Sequence, residues 1–197
     1  KIVSYQQMIK ILKIANKFKK IIIIDEAYLD FSDQKSLAPF VRKFKNLIVL
    51  KTLSKNVGIA GLRFSYMLSN PNLSKIINAF RPPYDISHFS IKAAEYFFKN
   101  KKILKNYLSD IKKSKRFVRD ICIKKNFYLQ ETKANFFYVY FKKSQCIKIV
   151  RFLKRKKILI KHLSNTNNYK NSIRVSYGSI KQMRFFFKIL QQARKIK

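Results

Sequence analysis

The chain has 197 residues, of which 47% are apolar, and its 18 Phe and 11 Tyr can fill a real core, which excludes a globally disordered protein. Its net charge of +36 by itself suggests nucleic acid or an anionic membrane surface as a partner. The lysines are spread along nearly the whole chain, however, and Ile, Asn, Phe and Tyr are also plentiful. A genome-wide bias towards A/T-rich codons therefore explains the charge better than a dedicated nucleic-acid surface.

The apolar segments and the cysteines indicate the cellular compartment of the protein. No apolar run approaches the roughly 18 to 20 residues that span a bilayer, so we expect a soluble protein without a membrane partner. Cys122 and Cys146 lie far apart without metal-ligand spacing, so no metal site and no disulfide are predicted, and a reducing cytoplasm is favoured. The first residue is Lys and no secretory leader follows it, so we expect the sequence to begin inside a longer protein.

The first half of the chain predicts alternating helices and strands. Ser4 and Gln7 form a capping-box pattern, and apolar residues at helical spacing then predict a helix over residues 5–18. The segment Ile21 to Ile24 is apolar at every position, which predicts a central strand of a parallel sheet that is covered on both faces. The other elements predicted here are a short helix around 36–43, strands over 47–50 and 64–68, and a helix over 72–80.

The segment Arg81-Pro82-Pro83-Tyr84 breaks regular structure and predicts a domain boundary nearby, with domains over residues 1–86 and 87–197. Beyond it the pattern changes to a small α+β unit, whereas the first part is α/β with a parallel or mixed sheet. The elements predicted for the second part are helices over 88–99, 101–125, 145–155 and 180–195, and strands over 135–141, 157–161 and 172–177.

Polar side chains follow the first two predicted strands at the points where these strands end. Asp25 and Glu26 end the first strand, and the second strand runs into a segment that contains Lys55. Ligands of open α/β sheets bind outside the carboxyl ends of the strands. Asp25 and Lys55 are therefore placed where chemistry is expected.

The segment Thr52-Leu53-Ser54-Lys55-Asn56-Val57-Gly58-Ile59-Ala60-Gly61-Leu62-Arg63, with Asp25-Glu26-Ala27-Tyr28 upstream, resembles fold-type I pyridoxal-phosphate-dependent aminotransferases. Within that superfamily it is most similar to the histidinol-phosphate aminotransferase branch. Further matching segments extend the resemblance in order along nearly the whole chain: residues 81–84, 134–136 and 173–178. The resemblance implies the C-terminal part of the large domain of such a transferase, followed by its small domain.

The resemblance implies that pyridoxal 5'-phosphate is the cofactor and that Lys55 is the catalytic residue. The lysine amine attaches covalently to the cofactor aldehyde and, once displaced by the amino substrate, shuttles a proton. Asp25 would pair with the pyridine nitrogen and keep the ring protonated, so that it acts as an electron sink. The alternative for Asp25 is a strand-end residue that caps the following loop. Tyr28 would hydrogen-bond the ring hydroxyl oxygen.

The cofactor phosphate needs hydrogen-bond donors on short side chains and a guanidinium that binds it bidentately. In the family pattern these groups come from Thr52, Ser54 and Arg63. Gly58 and Gly61 allow the backbone to turn between the lysine and Arg63. The alternative for the glycines is an ordinary loop, and both interpretations can hold together.

Three residues of the second domain fall at positions that bind the substrate in the family. Arg174 matches the arginine that holds the anionic group of the substrate, and Asn135 is similar to a residue near this pocket, although an Asn in a strand is often only an edge or bulge residue. Where the family usually has a second arginine, this sequence reads Ile158-Leu159-Ile160-Lys161. The Lys161 ammonium is a point charge and cannot bind a phosphate bidentately as arginine does. This difference puts the substrate specificity in doubt.

The resemblance implies a cytoplasmic homodimer that transfers an amino group between glutamate or 2-oxoglutarate and the histidinol-phosphate pair in histidine biosynthesis. Several family segments that complete the cofactor pocket precede the first helix and do not occur in this sequence, so whether this chain is active by itself stays open. The first alternative is a related pyridoxal-phosphate enzyme with another substrate, and the second is an inactive fragment. The third is a nucleic-acid-binding module based on Lys99–Lys105 and Arg151–Lys157, but these runs have the spacing of solvated helix faces, so no specific nucleic acid is expected.

Overall fold

The computed structural model of the chain describes residues 3–83, 85–163 and 169–194. It divides into two compact units, Lys1–Tyr107 and Leu108–Lys197. The division lies about twenty residues after the boundary at residue 86 that the sequence suggests. The difference arises because the helix over His88–Lys99 belongs to the first unit. In that helix the Ser90 hydroxyl donates a hydrogen bond of 2.8 Å to the Leu62 carbonyl. Tyr84, the last residue of the predicted break, lies outside the described residues.

The described elements follow the predicted order closely. The helices are α1 (Tyr5–Lys17), α2 (Leu53–Asn56), α3 (Pro71–Ala79), α4 (His88–Lys99), α5 (Lys101–Lys124), α6 (Lys143–Arg155) and α7 (Ile180–Arg194). The strands are β1 (Ile22–Asp25), β2 (Leu47–Thr52), β3 (Ser65–Ser69), β4 (Tyr128–Glu131), β5 (Phe136–Tyr140), β6 (Lys161–His162) and β7 (Ser172–Ser176). Short 3₁₀ helices cover Leu29–Phe31, Ala38–Arg42 and Ala60–Leu62.

The first unit is built on a mixed sheet of order β1-β2-β3. Strand β1 pairs parallel with β2, and β3 pairs antiparallel with β2. Helix α1 begins with the predicted capping box at Ser4 and Gln7 and places Leu12 in the core. The buried residues of this core are Leu12, Leu37, Phe44, Leu47 and Val49.

The prediction that strand β1 is covered on both faces is wrong. The side chains of Ile21 and Ile23 are 59% and 60% exposed, whereas Ile22 and Ile24 pack against the core. Successive side chains of a strand point to opposite faces, so one face of β1 is open to solvent in the described part of the chain. An apolar run predicts burial only if another element packs on each face.

The second unit contains an antiparallel sheet of order β4-β5-β7-β6. Helix α5 presents a buried stripe at helical spacing towards its core, with Ile111, Val118 and Cys122 as members. Phe137 of β5 and Phe187 of α7 are fully buried, and their rings stack with centroids 6.2 Å apart. This unit has the α+β character that the sequence predicts.

Two elements differ from their predictions for local reasons. The helix expected around residues 36–43 is a 3₁₀ helix over Ala38–Arg42 with Pro39 in its first turn, where proline supplies no backbone N–H. The strand expected over 157–161 is reduced to Lys161–His162. Lys157 adopts a left-handed backbone with φ of 57°, and the Ile158 N–H donates to the Leu153 carbonyl, so the turn that ends α6 occupies the start of this segment. Strand β4 is an addition that the sequence pattern does not predict.

Cys122 and Cys146 are both free and buried in the second unit. Burial raises the pKa of Cys122 to about 12 and that of Cys146 to about 11, because a thiolate is poorly solvated there. Both side chains are therefore protonated at neutral pH and act as small apolar core residues. Within the described residues no helix has the length and apolar character required to cross a membrane.

Candidate active site

The candidate site of the first unit lies where β1 and β2 end. Asp25 is the last residue of β1 and pairs with Leu50 of β2, so the two carboxyl ends share one edge of the sheet. The Asp25 carboxylate is exposed and accepts a hydrogen bond of 2.8 Å from the Ala27 N–H. The residue thus caps the loop after β1. A carboxylate has about four acceptor positions, so Asp25 keeps the capacity to accept a further donor.

Glu26, the next residue, fixes this edge of the sheet from inside. Its side chain is 4% exposed and forms an ion pair of 2.8 Å with Lys51 of β2. It also accepts hydrogen bonds from the Ser36 hydroxyl and the Leu37 N–H at 2.6 and 2.7 Å. A buried carboxylate requires such partners, so Glu26 joins β1, β2 and the loop before the 3₁₀ helix. Its role in the first unit is structural.

Lys55 lies in the four-residue helix α2, which begins directly after β2. Thr52 caps this helix by accepting a hydrogen bond of 3.0 Å from the Ser54 N–H, and its own hydroxyl donates to the Phe64 carbonyl at 2.9 Å. The Nζ atom of Lys55 lies 5.8 Å from the centroid of the Tyr28 ring. The structure therefore brings together two of the predicted site residues that are distant in sequence.

The three predicted phosphate donors have different geometry. The hydroxyl proton of Thr52 is engaged by Phe64, so Thr52 acts first as a helix cap. Arg63 is exposed and adopts a left-handed backbone with φ of 50°, at the end of the 3₁₀ helix over Ala60–Leu62. Ser54 lies in the first turn of α2, and its backbone N–H donates to the Thr52 hydroxyl oxygen at 3.0 Å. Ser54 and Arg63 are thus better suited than Thr52 to donate to a phosphate.

The sequence assigns the same role to Gly58 and Gly61, but their backbone conformations differ. The two glycines therefore allow a matched test of the turn at Gly58. Gly58 has φ of 76°, whereas Gly61 does not have a positive φ, and among the described residues no heavy atom lies within 4 Å of the position that its Cβ atom would take. We expect Gly58→Ala to lower the free energy of unfolding by about 1–2 kcal/mol, the cost of a left-handed L-residue. Gly61→Ala should be neutral or slightly stabilising. Urea unfolding of both variants checks this, and equal midpoints would contradict the assigned turn.

The candidate substrate residues lie in the second unit. Arg174 of β7 and Lys161 of β6 are directly paired across the sheet, and the Arg174 guanidinium lies 4.9 Å from the Phe136 ring centroid. Both cations line a groove of about 980 Å³ within this unit. Two like charges that face each other across a strand pair repel, so this pair favours an anion between them. Asn135 precedes β5, and its carbonyl accepts a hydrogen bond of 2.8 Å from the N–H of Tyr177, the residue after β7.

Sequence reasoning missed Asp30, Asn56 and Tyr66. Asn56 follows Lys55 directly and donates a hydrogen bond of 2.6 Å to Asp30, which follows Tyr28 by two residues. Burial raises the pKa of Tyr66, and its hydroxyl interacts electrostatically with Lys51, Asp30 and Glu26. The positions of Asp30 and Asn56 beside two motif residues are a signal that could have drawn attention to them. No sequence pattern indicates their mutual contact.

These features agree with the comparison with known families. The model of aminotransferase class I and II matches residues 1–190, and the chain belongs to this family. A curated relative, the histidinol-phosphate aminotransferase of Buchnera aphidicola subsp. Cinara cedri (strain Cc), is 34% identical over 193 residues, which are 92% of this chain and 52% of that protein. The chain spans about half the length of the curated relatives it matches.

Solved structures show the same fold. The histidinol-phosphate aminotransferase from Clostridium acetobutylicum superimposes with a TM-score of 0.84 at 24% identity, over 98% of this chain and 60% of that one. The enzyme from Sinorhizobium meliloti, solved in complex with pyridoxal-5'-phosphate, gives 0.81 at 21% identity, over 94% and 52%. The predicted fold class is confirmed: the chain has the fold of the C-terminal part of a fold-type I pyridoxal-phosphate-dependent transferase.

Proposed function

We propose that this chain supplies the lysine-bearing half of the active site of a pyridoxal-phosphate-dependent aminotransferase. The observation that carries the proposal is the position of the Lys55 amine, 5.8 Å from the Tyr28 ring centroid, at the edge of the sheet where β1 ends in Asp25. A primary amine, an aromatic hydroxyl and a carboxylate at one edge fit the groups of pyridoxal phosphate. Family membership and the pyridoxal-5'-phosphate complex of the Sinorhizobium meliloti enzyme support the same cofactor.

The candidate site residues of the first unit would hold different parts of the cofactor. Asp25 would hold a proton on the pyridine nitrogen, Tyr28 would donate to the ring oxygen, and Ser54, Thr52 and Arg63 would bind the phosphate. When bound, pyridoxal phosphate supplies an aldehyde for the amino group and a ring that accepts electrons. Lys55 would anchor the cofactor and, as a free amine, move the proton of the substrate carbon.

We propose histidinol phosphate and 2-oxoglutarate, or glutamate in the reverse direction, as the substrates. The names of the curated relatives support this choice, and so does the cation pair of Lys161 and Arg174, which suits phosphate or carboxylate groups. Asn135, the residue before β5, would add a polar contact. The family resemblance is the support for a cytoplasmic homodimer and for a role in histidine biosynthesis. Domain limits at 1–86 and 87–197 remain part of this proposal.

A direct assay tests the substrate. The chain is produced by itself and together with the upstream half of the Buchnera relative, and amino transfer from L-histidinol phosphate to 2-oxoglutarate is measured with pyridoxal phosphate present. We expect transfer at least in the combined sample, with histidinol phosphate preferred over phosphate-free amino donors. Transfer only from other amino donors would point to a related enzyme of different specificity. Absence of transfer from any donor in both samples would contradict the proposal.

A further inference from the structure

Helix α2 is too short to be stable by its own hydrogen bonds. It has four residues, and fewer than about 12 residues rarely form a stable helix in isolation. Its start is fixed by Thr52, which caps it and is tied to the Phe64 carbonyl. Its end runs into Val57 and the left-handed turn at Gly58. The position of Lys55 therefore depends on what holds the last turn.

Asn56 provides a second anchor at this end. Its side-chain Nδ2 donates a hydrogen bond of 2.6 Å to the Oδ2 atom of Asp30, and both residues are partly buried. Asp30 lies in the 3₁₀ helix over Leu29–Phe31, whose N-cap is Tyr28. One bond thus joins the residue after Lys55 to the short helix that begins at Tyr28.

Aromatic packing holds the same 3₁₀ helix from another side. The Phe31 ring lies 6.5 Å from the Tyr28 ring and 6.4 Å from the Tyr107 ring, measured between centroids. Tyr107 also lies under Gly58, where a Cβ atom would meet its ring at 3.6 Å. These ring contacts hold the 3₁₀ helix that bears Asp30, so Asn56 is bonded to a packed segment.

The orientation of the Asn56 amide is determined by Asp30. An ionised carboxylate only accepts hydrogen bonds, so the NH₂ group must face Asp30, and the Oδ1 atom is directed elsewhere. Oδ1 is buried and has no hydrogen-bond partner among the described residues. The Asp30 carboxylate thus fixes the direction in which the Asn56 amide points.

We propose that Asn56 and Asp30 are positioning residues that hold the Lys55 amine beside Tyr28, an inference that rests on the proposed role of Lys55 as the cofactor lysine. They act through helix α2 and the 3₁₀ helix. Without their bond the last turn of α2 loses its second anchor, and the Lys55 amine leaves the Tyr28 ring. Loss of this geometry lowers the fraction of cofactor that is attached to Lys55 without removing the groups that bind its phosphate.

The test measures attachment of pyridoxal phosphate to Lys55. The full chain is mixed with the cofactor, reduced with borohydride, and mapped by peptide mass spectrometry, with exposed Lys75 as the internal reference. We expect N56A and D30A each to lower labelling of Lys55 at saturating cofactor by about tenfold, the effect of losing one hydrogen bond to a charged group. The half-saturating cofactor concentration and the labelling of Lys75 should not change. N56S, which is too short to reach Asp30, should behave like N56A.

Two further variants separate positioning from a general loss of structure. The D30N variant keeps an acceptor oxygen for Asn56 and should label within about threefold of the unmodified chain. The double variant N56A/D30A should be no worse than either single variant, because both remove the same bond. Unchanged Lys55 labelling in N56A and N56S would overturn the inference. Additive losses in the double variant would overturn it as well.

A cofactor-free measurement distinguishes failure of this inference from failure of the proposed function. Amide hydrogen exchange is followed in residues 53–57 and, as a control, in strand β2. We expect exchange in 53–57 to be about tenfold faster in N56A than in the unmodified chain, with little change over Leu47–Leu50. If Lys55 of the unmodified chain is not labelled but exchange in N56A is faster as expected, the proposed function is wrong. The inference that Asn56 and Asp30 hold helix α2 would still stand. Equal exchange rates would overturn the anchor itself.

Discussion

Replacing Glu26 by Leu is expected to lower the free energy of unfolding of the first unit by about 3–5 kcal/mol, as for other buried pairs that lose one partner. The change leaves Lys51 without its ion pair at a position where its side chain is 20% exposed. It also removes the acceptor of the Ser36 hydroxyl and of the Leu37 N–H. The loss exceeds that of an ordinary surface pair because these groups are shielded from water.

Matched variants separate the charge from the hydrogen bonds. Glu26→Gln keeps an acceptor for Leu37 and should be less destabilising, and Glu26→Leu combined with Lys51→Met should recover part of the loss. Asp110→Ala, which breaks the exposed pair with Lys113, should change nothing measurable. Denaturant unfolding, together with hydrogen exchange of the β2 amides, measures the effect in the first unit. A Glu26→Leu variant as stable as the unmodified chain would contradict the buried network.

The Lys55→Arg substitution is expected to reduce amino transfer from histidinol phosphate at least about a thousandfold. It removes the covalent attachment and also a proton shuttle, and the shuttle by itself contributes about 10² to 10⁴. The guanidinium keeps the positive charge beside Tyr28, so the folding stability should change little. The amino-transfer assay with matched unfolding curves measures both effects.

The control for this variant is Lys75→Arg on the exposed face of helix α3. It makes the same chemical change at a lysine outside the proposed site, so activity should be retained. If Lys55→Arg were as active as Lys75→Arg, a lysine other than Lys55 would have to carry the cofactor. Such a result would remove the main support for the assigned site.

The sequence predicts the parts of the fold that depend on local pattern. The capping box at Ser4 and the helical spacing of α5 depend only on short segments, and the structure confirms both. Strands β1 and β2 lie where they are predicted, although β2 continues two residues further, to Thr52. The family motif between Thr52 and Arg63 likewise points to the candidate site, since the polar groups at strand ends fall at one edge of the sheet. The roles of the individual residues stay predictions until they are measured.

The features that sequence reasoning missed depend on contacts between distant segments. Asp30 and Asn56 are 26 residues apart, and nothing in either segment indicates that their side chains meet. The exposure of Ile23 depends on what packs over β1, which an apolar run does not reveal. Leu159 is 84% exposed just after the left-handed turn at Lys157 that ends α6, in a segment whose apolar character suggested a strand. Tertiary context decided each of these cases.

The central claim is that Lys55 binds pyridoxal phosphate, and its most direct test is to identify the lysine that borohydride fixes to the cofactor. The unmodified chain is incubated with pyridoxal phosphate, reduced and mapped by peptide mass spectrometry. The chain carries 35 lysines, so nonspecific reaction would distribute the label over many sites. We predict that Lys55 is labelled selectively and at low cofactor concentration. Label scattered over the exposed lysines, with Lys55 no more reactive than Lys75, would contradict the account.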